Sequence, residues 1–298
     1  MTALNLNLIQ SPILLHGDKH TGYRDPAAIY YDGVFRLYYT LVETEPDGQV
    51  FMYTAMSHSV DLVTWSEPTR LTPRDRSLNY SSPGNIIRYK DRWVMCLQTY
   101  PRPNGEKYGN ESSRIWSMES TDLVHWTVPE LLLLKGDQVS VESMGRMIDP
   151  YLIEDKDEPG KWWCFYKQNG VSHSYSHDLI HWTYCGNESA GENVCILKVE
   201  DQYIMFHSPE NGIGIMRSFD LKNWNHAAAL LTLGQQDWDW ARGRITAGFV
   251  LDCRLVPGIQ KFLMFFHGTG PEDERVIFDT YACIGIAWSD DLVEWQWP

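Results

Sequence analysis

Ser59-Val60-Asp61-Leu62-Val63-Thr64-Trp65 is the stretch on which the fold turns, because the chain repeats its frame. The pattern Ser-x-Asp-Leu-x-x-Trp returns at residues 120–126, 176–182, 218–224 and 289–295. Four fixed identities in each copy mark a structural repeat, and the uneven spacing between copies excludes a solenoid of constant period. Upstream of every copy lie two β-branched and aromatic runs split by a polar turn. In the first unit these are residues 26–31, Asp32-Gly33 and residues 34–40. An Asp-Gly pair between such runs is a strong hairpin signal. The later units carry Lys90-Asp91, Pro159-Gly160, Glu200-Asp201 and Pro257-Gly258 in the same place. A third run leads into each repeat, as at 50–56 and 281–288, and a short segment after the Trp supplies a fourth strand.

The last unit lacks that segment, because the chain stops at Pro298. Residues 11–15 resemble the segments that follow the other tryptophans, and residues 4–9 alternate as a strand would. The expectation is an all-β, five-bladed β-propeller, one domain over residues 1–298, with the fifth blade completed by the N-terminal strand. Such closure ties the termini together and covers sheet edges. The repeated Asp should cap its turn and the repeated Trp should pack between blades, since a residue present in every blade cannot mark a single site.

Composition narrows the function. The balance of 25 Lys+Arg against 39 Asp+Glu gives a net charge of -14, which argues against a nucleic-acid partner. No apolar run is long enough for a transmembrane helix, so no membrane partner is expected. No basic residue precedes the apolar N-terminal run, which does not read as a signal peptide; the expected location is cytoplasmic. The six cysteines show neither CxxC nor zinc-type spacing and are expected to be buried and reduced.

The chemistry should lie where the repeat breaks, at the mouth of the central channel. The residues opening the innermost strands are Arg24-Asp25-Pro26, Ser82-Pro83-Gly84-Asn85, Ile148-Asp149-Pro150, Gly191-Glu192-Asn193 and Gly243-Arg244-Ile245-Thr246. Asp25, Asp149 and Glu192 read as equivalent positions of three blades, which would gather three carboxyls around one axis. Like charges so placed are costly unless they share a proton or a cation, and such a cost points to function.

These motifs resemble glycoside hydrolase family 43 and its relatives, over almost the whole chain and most closely at Asp25-Pro26 and Ile148-Asp149-Pro150. The resemblance implies hydrolysis of arabinosides, xylosides or galactosides. It implies Asp25 as general base, Asp149 as the residue that tunes and orients the acid, and Glu192 as general acid. The fourth blade departs from the family, which has Glu followed by Gly-Pro or Ala-Pro where this chain has Glu192-Asn193-Val194. Glu188, Glu210 and His207 therefore stand as alternative acids. An inverting reaction requires base and acid roughly 6.5–9.5 Å apart, and Asp149 would keep Glu192 protonated by like-charge repulsion.

Arg244, at the fifth-blade position, Arg146 and Asn85 are candidate substrate-binding residues. Trp238, in Trp238-Asp239-Trp240, is a candidate face for sugar stacking, and the loop over residues 100–108 a candidate wall. No cofactor is required; related enzymes place a calcium or sodium ion near the channel axis, and His267 is its expected neighbour here. The reading is an exo-acting, inverting hydrolase of short oligosaccharides. One alternative is an inactive carbohydrate-binding propeller, suggested by the fourth blade. A phosphorylase, using Arg146, Arg242 and Arg244, is another. A retaining fructoside hydrolase is disfavoured, since Arg24-Asp25-Pro26-Ala27 stands where those enzymes have Asn-Asp-Pro-Asn.

Overall fold

Each sequence unit folds as an antiparallel meander in the computed structural model, which describes residues 4–298. Blade I comprises Thr21–Tyr31, Val34–Thr44, Val50–Ser59 and Thr69–Arg70, and blade II Tyr80–Tyr89, Arg92–Thr99, Ile115–Ser120 and Glu130–Leu131. Blade III comprises Ile148–Glu154, Trp162–Lys167, Val171–Ser176 and Thr183–Glu188, and blade IV Glu192–Val199, Gln202–Ser208, Gly214–Ser218 and Asn225–His226. Blade V runs Arg244–Asp252, Phe262–Thr269 and Cys283–Ser289, and both ends of the chain complete its outer edge. Ile13–Leu15 pairs with Cys283–Ser289 near Ile284, and Trp295–Gln296 pairs near Trp288. The first strands of successive blades touch in order and the fifth returns to the first, closing a five-bladed β-propeller.

Local rules explain the parts. Asp32 and Gly33 both take positive φ, at 51° and 77°, the geometry that a two-residue hairpin loop of type I′ needs. Residues 4–9 depart from expectation. They form a 3-10 turn, Leu6–Leu8, capped by the Asn5 side chain. Leu6 and Ile9, three apart, are buried together, so the apparent alternation was a helical spacing.

The repeated turns follow one hydrogen-bond scheme. Ser59 Oγ accepts the amides of Asp61 and Leu62 at 3.2 and 2.9 Å, and Asp61 Oδ1 accepts those of Val63 and Thr64 at 2.9 and 2.8 Å. The central leucines are buried and held at φ 62–66°, a region hostile to a branched side chain, and the scheme offsets that strain. Trp126, Trp224 and Trp295 stand edge-on to Tyr38, Phe165 and Phe206, aromatics on the second strands of the preceding blades. The repeated Asp and Trp thus build the ring. All six cysteines are free; five are buried, but Cys185 is exposed, because it lies on the outermost strand of blade III. Among the described residues, no helix is long and apolar enough to cross a membrane.

Candidate active site

Every innermost strand breaks register shortly after its start, and at each break a non-glycine residue takes a positive φ. These residues are Asp25, Ser82, Asp149, Asn193 and Ala247, at φ 43–53°. A bulge re-aims its side chain, and all five line the axial void at the centre of the ring. Gly84 permits the close approach this requires, since a Cβ there would sit 1.6 Å from the Pro150 carbonyl oxygen. Asp25 and Asp149 are therefore true equivalents. Glu192 is not, for Asn193 holds the bulge position in blade IV and Glu192 precedes it by one residue.

Four of the five bulge amides are capped by the preceding blade. Asp25 N–H donates to His267 Nδ1 at 3.1 Å, Ser82 to Thr40 Oγ1 at 2.7 Å, Asp149 to Gln98 Oε1 at 2.5 Å and Ala247 to Ser208 Oγ at 2.8 Å. The fifth register position is Lys167, which has no acceptor to offer. His267 is thus one member of a series. Its Nε2 lies 3.5 Å from Glu274 Oε1 and Arg24 stands close by. Burial, and then Arg24, hold its pKa below the ordinary value, consistent with a neutral ring whose Nδ1 accepts. Both ring nitrogens are faced by protein groups, and among the described residues no three His, Cys, Asp or Glu side chains gather as a metal site would need.

Above the bulges opens a cavity of about 450 Å³ whose wall includes Asp25, Asp149 and Glu192. Asp25 Oδ2 accepts from Thr40 Oγ1 at 2.9 Å, and Asn193 Nδ2 donates to Oδ1 at 3.4 Å. Asp149 is buried, and its carboxylate accepts from Ser82 Oγ at 2.9 Å. Burial first, then the proximity of Glu192 and Asp25, pushes the Asp149 pKa up to about 8. The like-charge cost at this site therefore falls on Asp149. Glu192 has what Asp149 lacks, a cation in contact: Arg244 Nη2 donates to its Oε1 at 2.9 Å.

Arg244 reaches Glu192 from two residues upstream of Thr246, the register equivalent of Glu192 in blade V, and not from the bulge position. Its other arm pairs with Glu274 Oε2 at 2.5 Å, and Arg24 Nη2 pairs with Glu274 Oε1 at 2.9 Å. Burial works against the charge of Glu274, but Arg24, His267 and Arg244 outweigh it and hold its carboxyl well below the usual range. Sequence reasoning missed Glu274, because nothing in the run Gly270-Pro271-Glu272-Asp273-Glu274-Arg275 sets a buried carboxylate apart from a polar surface turn. The available signal was length: the segment after Thr269 is one of two long insertions between second and third strands.

The other insertion, residues 100–114 of blade II, supplies Tyr100, Tyr108 and Glu111 to the cavity, in line with the expected wall. The two insertions clasp each other. Arg102 binds Asp279 through both guanidinium arms at 2.6 and 2.9 Å, and Phe278 packs between Tyr100 and Tyr108 while Arg24 lies over its ring.

The remaining candidates divide. Arg146 lines the cavity, with Nε donating to the Gly109 carbonyl at 3.2 Å. Asn85 does not; it cross-links blades II and III through both backbone groups of Leu152, at 2.7 and 2.8 Å. Trp238 also lies elsewhere, stacked with Trp240 and Phe266 inside blade V. Arg242 pairs with Asp239 on the surface. Of the alternative acids, His207 caps the Gly191 amide, and neither it nor Glu188 or Glu210 reaches the cavity wall.

No family model matches this sequence, and no curated protein matches it. Solved structures do. The catalytic domain of a family 62 α-L-arabinofuranosidase from Coprinopsis cinerea superposes with a TM-score of 0.64 at 12% identity, over 91% of each chain. A family 117 glycoside hydrolase from Zobellia galactanivorans superposes at 0.66 with 16% identity, over 96% of this chain and 88% of that one. A family 43 β-1,3-galactosidase with galactodeoxynojirimycin superposes at 0.62 with 12% identity, over 92% and 93%. The fold is that of the family 43-like propellers. Identities this low speak for the fold and leave the reaction to be argued from the site.

Proposed function

We propose that this protein is a glycoside hydrolase that removes sugars from the ends of short oligosaccharides, of the arabinoside, xyloside or galactoside kind, with inversion. The observation that carries the reading is the set of three carboxyls that three separate blades turn into one cavity, one of them buried with no cation in contact. A site that only bound sugar would gain nothing from holding Asp149 against such repulsion. In this reading Asp25 takes a proton from the attacking water, held by Thr40 and Asn193 in the orientation the attack needs. Glu192 protonates the departing oxygen, and Asp149 supports the acid from between them. Tyr100, Tyr108 and Phe278 provide flat faces for a sugar ring, and the clasp over blade I closes one side of the cavity, which favours chain ends over internal bonds. Phosphorolysis is disfavoured: of the three arginines it would use, Arg242 pairs with Asp239 on the surface and Arg244 is engaged by Glu192 and Glu274, which leaves Arg146 alone in the cavity wall. The test is release of sugar from a panel of nitrophenyl glycosides and short plant oligosaccharides, beside Asp25→Asn and Glu192→Gln, with the anomer of the first product read by proton NMR. Loss of turnover in both variants and an inverted product are expected. Turnover retained in Glu192→Gln would remove the acid assignment, and a retained anomer would remove inversion.

A further inference from the structure

A single carboxylate from outside the ring of bulges ties together the surroundings of both proposed catalytic groups. Glu274 lies in the short helix Glu274–Ile277, within the insertion between the second and third strands of blade V. Through Arg244 it reaches Glu192: Oε2 is 2.5 Å from Arg244 Nη1, and Nη2 of the same guanidinium is 2.9 Å from Glu192 Oε1. Through His267 it reaches Asp25: Oε1 is 3.5 Å from Nε2, and Nδ1 accepts the Asp25 amide at 3.1 Å. Thr269 Oγ1 donates to Glu274 at 3.2 Å, and Arg24 pairs with it at 2.9 Å. The carboxylate is buried and faced by two guanidiniums, one imidazole and one hydroxyl, with Asp273 beside it at the N-cap of the helix.

We infer that Glu274 is a positioning residue that neutralises Arg244, so that Arg244 can orient Glu192 without holding it as a permanent carboxylate. The inference rests on the reading of Glu192 as acid. An uncompensated guanidinium in contact with a carboxyl stabilises the anion, which cannot donate a proton. Glu274 supplies the compensating charge to Arg244. Asp149 also faces Glu192, and once it ionises its charge acts in the same direction as Glu274, toward the protonated acid. The same carboxylate lies 3.5 Å from Nε2 of the His267 ring that caps Asp25, so one buried charge adjoins the surroundings of both base and acid.

The experiment follows the Glu192 carboxyl by carbon NMR in protein labelled at the glutamate side-chain carboxyl, the signal being assigned by its loss in Glu192→Gln. Glu274→Gln should lower the Glu192 titration midpoint by about one pH unit or more, the shift expected when a cation within 4–6 Å acts unopposed. The alkaline limb of kcat/KM should move to lower pH by a similar amount. Arg244→Gln should move the midpoint the other way, and it serves equally should Glu274→Gln fail to fold. An unchanged midpoint in the folded variants would overturn the inference, as would a kcat/KM loss in Glu274→Gln that is uniform across pH. Should the wild type release sugar from no glycoside, the hydrolase reading falls and the titration still decides whether Glu274 tunes Glu192.

Discussion

The two faces of the ring follow opposite rules. On one face the five Ser-x-Asp-Leu-x-x-Trp turns use the same residues, the same hydrogen bonds and the same left-handed leucine. On the other the five bulges share a backbone geometry and vary in side chain, with Asp, Ser, Asp, Asn and Ala at the bulge itself. Both faces hold strained φ angles. On the first the strain is offset locally, within seven residues of sequence. On the second it is offset across blades, by caps from Thr40, Gln98, Ser208 and His267. Repetition therefore marks structure, and variation within a fixed geometry marks the site.

Substitutions on the two faces should separate activity from stability. The largest effect is expected at Asp25→Asn, with kcat/KM falling roughly 10²–10⁴-fold, the usual share of a general base, and a melting temperature close to that of the wild type. Steady-state kinetics beside a thermal melt would show it. Asp178→Ala, on the opposite face, should do the reverse. It removes the caps on the Ile180 and His181 amides, costs about 1–2 kcal/mol by analogy with helix caps, and leaves kcat/KM unchanged. A loss of activity there would break the division between the faces.

The faces should also differ in pH dependence. The turn aspartates 61, 122, 178, 220 and 291 all titrate below their ordinary value in the fold, so their contribution is present above about pH 4 and is lost as pH falls through the folded values. Asp149 has the opposite sign. Its folded pKa is raised to about 8, so the fold binds a proton that the unfolded chain has already released, and this contribution fades as pH rises from about 4 toward 8. Asp149→Asn should therefore be more stable than the wild type at pH 8, by on the order of 1 kcal/mol or more, while losing turnover. Denaturant unfolding at pH 5 and pH 8 would measure the difference, and an Asn variant less stable at both would contradict it. On the cavity face the smallest effect on turnover is expected at the clasp, where Arg102→Met should raise KM a few-fold; because the pair is largely buried, the unpaired Asp279 should also lower the melting temperature.

The candidate site was partly legible in the sequence. Asp25 and Asp149 announced themselves because each precedes a Pro at the start of an inner strand, and the bulge geometry makes them equivalent. Arg146, read as a candidate substrate-binding residue, lines the cavity. Asn85 and Trp238 were read as binding residues because their types suit sugars, but a side chain's type does not say which way a pleated strand or a loop turns it. Asn85 faces the next blade, where two backbone groups need partners, and Trp238 faces the aromatic interior of blade V. Glu274 was invisible, because a charged turn reads alike whether it points to water or folds back onto two arginines.

The sequence by itself determined the number of blades, the order of strands, the capped turns and the closure of the ring by the N-terminal strand. These rest on interactions between residues close along the chain, repeated often enough to be recognised. The tertiary structure alone decided which residues meet above the axis. Glu192, Arg244, Glu274 and His267 are brought together by the closing of the ring and by an insertion folding back over it. Their charges acquire meaning only through partners that come from different strands, loops and blades.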